Sequence, residues 1–288
     1  MSHISIFLEL TRLKKPVGYM LLFWPCAWGL TLAFDFKNNF DHYGFYLILF
    51  FIGAVLMRSA GCIINDIVDR NYDKHVERTK NRPIASGMIT VEKSLIYVFL
   101  LCGMALLVLL NFNFLTIILA FASMPLAFTY PLMKRLTYWP QLFLGITFNY
   151  GLVLGWTSIN NEINLAPIVF YFGAIFWTLG YDTIYGFQDI KDDEIIGVKS
   201  TSIKFKNNPK IFIFFNYFLF FVSLILIGII MSFSKMYFLT LALPFLHLML
   251  YQIYSFKKEN SQKCLKIFKS NNLLGLIIFI SLIIGKSF

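Results

Sequence analysis

Y-G-F-Y-L-I-L-F-F-I-G-A-V-L-M-R-S-A-G-C-I-I, from Tyr43 to Ile64, carries Arg58 as its single charge and runs straight into N-D-I-V-D-R-N-Y-D-K-H-V-E-R-T-K-N-R-P, Asn65 to Pro83. As a helix the first part rises about 33 Å, enough to cross roughly 30 Å of hydrocarbon. The rest of the chain has the same character. Of its 288 residues 58% are hydrophobic and only 14% charged, against about 45–50% and 25% in soluble proteins, and the mean hydropathy is +0.69. A soluble chain of this length leaves too much surface in water to hide that apolar content, and disordered chains lack the aliphatic and aromatic residues. The expected fold class is all-α, a polytopic membrane protein.

Stretches of spanning length recur at 17–35, 43–64, 94–111, 113–131, 141–158, 165–185, 210–232, 236–255 and 271–287, which predicts about nine transmembrane helices. The first follows Arg12, Lys14 and Lys15, but it is too long for a signal peptide and lacks a small-residue cleavage site. With the N-terminus inside, every Lys and Arg except Lys37, Lys235 and Lys286 falls on the cytoplasmic side, including a basic loop from Lys257 to Lys269. That asymmetry follows the positive-inside rule. It also accounts for the net charge of +10 without nucleic-acid binding. Cys26, Cys62, Cys102 and Cys264 show no paired spacing, and His3, His42, His75 and His247 are scattered. Neither a disulfide framework nor an imidazole metal cage is expected. No linker or soluble insertion interrupts the chain, so one membrane domain over 1–288 is expected.

Most of the acids gather at the cytoplasmic ends of two spans. One group lies within 65–83. The other is Y-D-T-I-Y-G-F-Q-D-I-K-D-D-E, Tyr181 to Glu194, followed by G-V-K-S-T, within 181–201. On a continuing helix Asp66, Asp69 and Asp73 share about 60° of arc, and Asp182, Asp189 and Asp193 about 40°. A solvated helix end is the ordinary reading of one acidic run. Two same-face clusters on one side, each interleaved with Arg or Lys, need more, because carboxylates at the edge of lipid are costly. Aspartate oxygens without His or Cys suit a hard cation such as Mg²⁺, held by carboxylates together with phosphate oxygens. The pattern therefore points to a metal-bridged diphosphate.

At these residues the chain resembles the UbiA-type intramembrane prenyltransferases. Asn65, Asp66, Asp69 and Asp73 match the family's N-D-x-x-D-x-x-x-D motif, with R-T-x-x-R-P following at Arg78 to Pro83. Asp189 and Asp193 match its D-x-x-x-D element, preceded by D-T-x-Y at Asp182 to Tyr185, and Tyr130 to Lys134 matches Y-x-x-x-K. R-L-K-K-P-V-G-Y-M-L-L-F-W-P-C-A-W (Arg12 to Trp28) and K-R-L-T-Y-W-P-Q-L-F-L-G (Lys134 to Gly145) are similar to its 4-hydroxybenzoate branch.

The resemblance implies a bundle around a central cavity that opens sideways to lipid, with both aspartate motifs at its polar end. It implies transfer of a polyprenyl group from polyprenyl diphosphate to 4-hydroxybenzoate in ubiquinone biosynthesis, with Mg²⁺ as cofactor, at a bacterial inner membrane. Asp66, Asp69, Asp73, Asp189 and Asp193 are the expected metal ligands. Asn65 and Asp182 assist, and Tyr130 and Lys134 are catalytic. Arg78, Arg82, Lys134 and Lys199 are expected at the diphosphate. Arg58 and Arg135 are the candidates for the benzoate carboxylate, to which a guanidinium fork is suited, and Tyr130 and Tyr185 for facing the allylic cation. Rival readings are another acceptor within the family (a haem, a naphthoate, a homogentisate or a sugar phosphate) and a secondary transporter with intramembrane acids. The second leaves the R-T-x-x-R-P run without a role.

Overall fold

The computed structural model of the chain describes residues 3–36 and 40–287. Lys37, one of the three cations expected on the far side, lies outside the described residues. Among these residues there is no strand. The elements are α1 (His3–Leu10), α2 (Val17–Ala33), α3 (Phe40–Asp73), α4 (Val91–Leu109), α5 (Phe114–Thr129), α6 (Met133–Leu136), α7 (Pro140–Asn149), α8 (Gly151–Asn160), α9 (Leu165–Gly186), α10 (Ile190–Ile196), α11 (Thr201–Lys204), α12 (Pro209–Ile230), α13 (Lys235–Thr240), α14 (Ala242–Phe245) and α15 (Ser261–Ser287). A 3₁₀ turn, Tyr130–Leu132, links α5 to α6, and a π-helical stretch, Leu246–Ile253, extends α14.

Eight stretches are long and apolar enough to cross a membrane, and α2, with 17 residues, is a shorter apolar helix. Together they match the nine expected spans. Local chemistry sets several ends. The Thr90 and Asn113 side chains cap α4 and α5 by accepting from the backbone N–H of Lys93 and Thr116. Gly197, at φ 80°, closes α10 in the left-handed region that glycine tolerates.

Three spans differ from expectation. The segment at 141–158 is two helices, α7 and α8, meeting at Tyr150. The segment at 236–255 is divided among α13, α14 and the π-helical stretch. The last helix starts ten residues earlier than its apolar core, because the Asn260 side chain accepts from the Lys263 N–H at 2.8 Å. Lys263, Lys266 and Lys269 thus ride on helical turns, so only the first part of the expected basic loop is a loop.

The core is aromatic. Trp28 stacks on Phe170 with centroids 5.3 Å apart, and Trp177 stacks on Phe220 at 5.8 Å. Their indole N–H groups are satisfied inside the bundle, Trp28 by the Gly275 carbonyl and Trp177 by Asn271. A second apolar cluster seats Ile6 and Leu10 of α1 on Leu56, Ala60 and Ile63 of α3. The outer faces of α4, α12 and α13 expose Phe99, Leu107, Phe215, Ile229 and Leu239, as a lipid-facing surface requires.

Small residues bring α2 and α8 together. A Cβ at Gly155 would meet the Cys26 carbonyl and the Leu30 amide nitrogen of α2, and one at Gly29 would meet the Leu152 carbonyl. Neither contact can yield without moving a backbone. Gly155→Ala should therefore cost about 1–3 kcal/mol, read as a lower Tm in detergent. Gly103→Ala, whose Cβ meets nothing within 4 Å, should not lower it.

Candidate active site

The uninterrupted run of α3 carries Asp66, Asp69 and Asp73 to its C-terminal turns. All three are buried, at 2%, 2% and 6% exposure, on the one face their spacing predicts. Buried carboxylates at the end of an apolar helix need compensation, and three separate segments supply it. Arg12, in the turn after α1, donates to Asp66 Oδ1 at 2.5 Å. Arg82 donates to Asp66 Oδ1 at 3.1 Å and to Asp73 Oδ2 at 2.8 Å. Lys134 on α6 donates to Asp69 Oδ2, and Arg135 Nη2 lies 3.7 Å from Asp69 Oδ1.

The segment after α3 folds back to make this possible. Thr79 Oγ1 donates to the Asp73 carbonyl at 3.1 Å, and the Arg82 N–H to the Thr79 carbonyl at 2.9 Å. The R-T-x-x-R-P run is thus a tight return that aims two arginines in different directions. Arg82 turns toward the first aspartate motif. Arg78 reaches the second, gripping Asp189 from Nε at 2.8 Å and from Nη2 at 2.5 Å, the side-on fork that suits a carboxylate.

The second motif is not the continuous helix its spacing suggested. Helix α9 ends at Gly186, and Asp189 is the residue before α10. The chain tightens there because the Phe187 and Gln188 N–H groups bond to Ile184 and Tyr185, three residues back, and because Gly186 lies against Ser202 of α11. Asp182 therefore stays on α9, while Asp189 and Asp193 belong to the lip formed by α10.

Among the described residues Lys199 has no aspartate as its hydrogen-bond partner. Its Nζ donates to the Leu136 carbonyl at 3.2 Å and sits over the Tyr138 ring. The rest of the K-S-T run is structural. The Thr201 N–H bonds to Gln141 and the Thr201 hydroxyl to Thr183. Arg135 covers the Tyr72 ring and donates to the Val68 carbonyl at 2.7 Å, beside its longer approach to Asp69. Arg58 lies deeper, on α3, with its guanidinium 5.3 Å from the centroid of Phe148. Its charge acts on Asp182 of α9. Asn65 is half-buried beside Asp66. Arg12 is the site residue that sequence reasoning missed. In the sequence it is a cation flanking the first span and the start of a resembling stretch, and its positive φ of 54°, which turns it onto Asp66, has no sequence signal.

Among the described residues no group of three His, Cys, Asp or Glu side chains converges on one point; the acids face cations. The donor set nevertheless fits a hard ion, because it is all carboxylate oxygen and Asp69 Oδ1 is buried without a hydrogen-bond partner. Asp193 sits near the same charges. Burial, and then the neighbouring Asp189, push its carboxyl up to about 6. A raised carboxyl favours its proton in the fold, so ionised Asp193 destabilises the metal-free protein above that pH, and the penalty fades as pH falls toward the unfolded value. In EDTA, Asp193→Asn should melt above wild type at pH 7.5, with the gap closing between pH 6 and 4.

Residues 22–283 match the model of the UbiA prenyltransferase family. The chain is 44% identical over 281 residues to the mitochondrial 4-hydroxybenzoate polyprenyltransferase of Bos taurus, covering 97% of this chain and 75% of that protein. It is 41% identical to the 4-hydroxybenzoate octaprenyltransferase of Psychromonas ingrahamii, covering 97% and 96%. Among solved structures it is similar to the apo UbiA homolog from Aeropyrum pernix K1, with a TM-score of 0.77 at 22% identity over 93% of this chain and 98% of that one. A UbiA homolog from Archaeoglobus fulgidus bound to GPP and Mg²⁺ gives 0.73 at 16% identity over 97% and 99%. The chain belongs to the UbiA prenyltransferase family.

Proposed function

We propose that this chain is a single membrane domain that transfers a polyprenyl group from polyprenyl diphosphate to 4-hydroxybenzoate. The new bond forms at the ring carbon ortho to the hydroxyl. The observation that carries this reading is the Arg78–Asp189 fork, which joins the two aspartate motifs into one charged site with Arg12, Arg82 and Lys134. The names of the relatives support the acceptor, and the bound GPP and Mg²⁺ of the A. fulgidus homolog support the donor and the metal.

Asp66, Asp69, Asp73, Asp189 and Asp193 would hold Mg²⁺, with Asn65 and Asp182 beside them. When bound, the metal supplies Lewis acidity to the departing diphosphate oxygens. The cations that now neutralise the aspartates have the right charge for the rest of the diphosphate, so Arg12, Arg78, Arg82 and Lys134 would exchange carboxylate for phosphate oxygens when substrate enters. The allylic C–O bond breaks with its electron pair going to diphosphate. The ring carbon then attacks the allylic carbon, and transfer of the ring proton to the released diphosphate or to solvent restores aromaticity. The ring faces of Tyr130 and Tyr185 would suit the allylic cation. Arg58 would take the acceptor's carboxylate. The cation asymmetry of the loops supports an N-terminus and both motifs on the cytoplasmic side, and the P. ingrahamii relative supports a bacterial inner membrane as the setting.

Protein in liposomes with Mg²⁺, polyprenyl diphosphate and 4-hydroxybenzoate should yield 3-polyprenyl-4-hydroxybenzoate by mass spectrometry. EDTA should abolish it, and Asp66→Ala should lower kcat by about 10²-fold or more. Diphosphate release without the adduct would remove 4-hydroxybenzoate as the acceptor.

A further inference from the structure

The polar end of α3 has a second face. At 100° per residue Val68, Asn71 and Tyr72 lie within about 100° of arc, centred about 140° from the arc of Asp66, Asp69 and Asp73. Together with Arg70, Arg135 of α6 and Ile195 of α10 they line an open cleft of about 680 Å³. None of its lining residues is acidic.

Both guanidiniums are drawn back toward the apolar part of α3. Arg70 Nη1 donates to the Ile67 carbonyl at 2.9 Å, three residues back on its own helix, and Arg135 Nη2 donates to the Val68 carbonyl at 2.7 Å. Ile67 and Val68 follow Ile64, the last residue of the apolar run, by a rise of about 5–6 Å. Headgroups add about 5–7 Å to each side of the hydrocarbon, so both charges are held at headgroup depth. Among the described residues Arg70 makes no ion pair within 4 Å, and Arg135 has the 3.7 Å approach to Asp69. Tyr72 lies beneath the Arg135 guanidinium at 4.8 Å and fixes its plane. The remaining wall is apolar. Ile195 is 85% exposed, and its neighbour Glu194 is turned to Lys206 at 2.6 Å.

We propose that this cleft binds the headgroup of an anionic phospholipid, with Arg70 and Arg135 on the phosphate and Ile195 against the glycerol and the start of the acyl chains. Guanidinium forks suit phosphate oxygens, and basic pockets at the membrane surface favour anionic lipid. A soluble phosphate satisfies the two cations and leaves Ile195 in water. A zwitterionic lipid covers Ile195 and brings its own ammonium to two guanidiniums. An anionic lipid answers both walls, and it joins α3 and α6 to α10, the element that carries Asp193.

The test titrates delipidated protein in detergent with phosphatidylglycerol and with phosphatidylcholine of the same chains, read by native mass spectrometry. Wild type should hold its first phosphatidylglycerol about tenfold or more tighter than phosphatidylcholine. Arg70→Gln should weaken that phosphatidylglycerol about fivefold and leave both phosphatidylcholine binding and the Tm unchanged. Lys266→Gln, which removes an exposed charge from α15, should change neither lipid. Glycerol 3-phosphate, which has the charge without the chains, should bind about tenfold or more weaker than phosphatidylglycerol. No preference for phosphatidylglycerol, equal losses from Arg70→Gln and Lys266→Gln, or glycerol 3-phosphate bound as tightly as the lipid overturns the inference.

Discussion

Carboxylates at the edge of an apolar bundle must be neutralised by something, and that necessity organises the polar end of this protein. Removing one partner of a buried pair leaves the other charge uncompensated, which costs far more than the pair contributes to stability. The cations therefore have to come from somewhere specific. Here they come from the turn after α1, from the return segment behind α3, and from α6. Each of these is a short, irregular element that apolar packing alone would hold poorly. The acids of α3 fix all three, and Arg78 extends the hold to α10. The same groups that would carry the chemistry thus determine where the loops go.

The opposite half of the bundle is built on a different principle. There the aromatic stack of Trp28, Phe170, Trp177 and Phe220 fills the interior, and glycines let α2 and α8 approach backbone to backbone. A buried amide network adds direction to this packing. Tyr217 donates to Gln252, Gln252 to Asn271, and Trp177 also donates to Asn271. These bonds fix the rotation of α12, the π-helical stretch and α15 relative to α9. Hydrophobic burial cannot do this between helices that are apolar all round. The charged end can exchange partners because the other end does not have to.

Much of this was legible in the chain because the signals are local. Span length and hydropathy mark the helices, and α3 contains no proline or polar break, so the face shared by Asp66, Asp69 and Asp73 followed from their spacing. The second motif departs from its spacing because α9 ends at Gly186, where the next two N–H groups bond three residues back. Arg12, Lys199 and Arg135 are long cations whose partners lie on other elements, and nothing in their neighbours states which way they turn. The network of Gln252 and Asn271 was hidden in segments that looked like generic spans, since an isolated amide in an apolar run carries no sign of its partner.

The length of α3 has a consequence for the molecules that visit it. Its 34 residues extend about 51 Å, well beyond the roughly 30 Å of hydrocarbon, and Asp66 lies about 39 Å along it. A helix of these proportions offers two solvents along one rail: oil beside its first turns, headgroups and water beside its last. A two-ended molecule laid against it can leave its greasy tail dissolved in the bilayer and present only its charged head. Adding isoprene units to such a tail lengthens the part the membrane already dissolves, so the protein need not enclose what it carries.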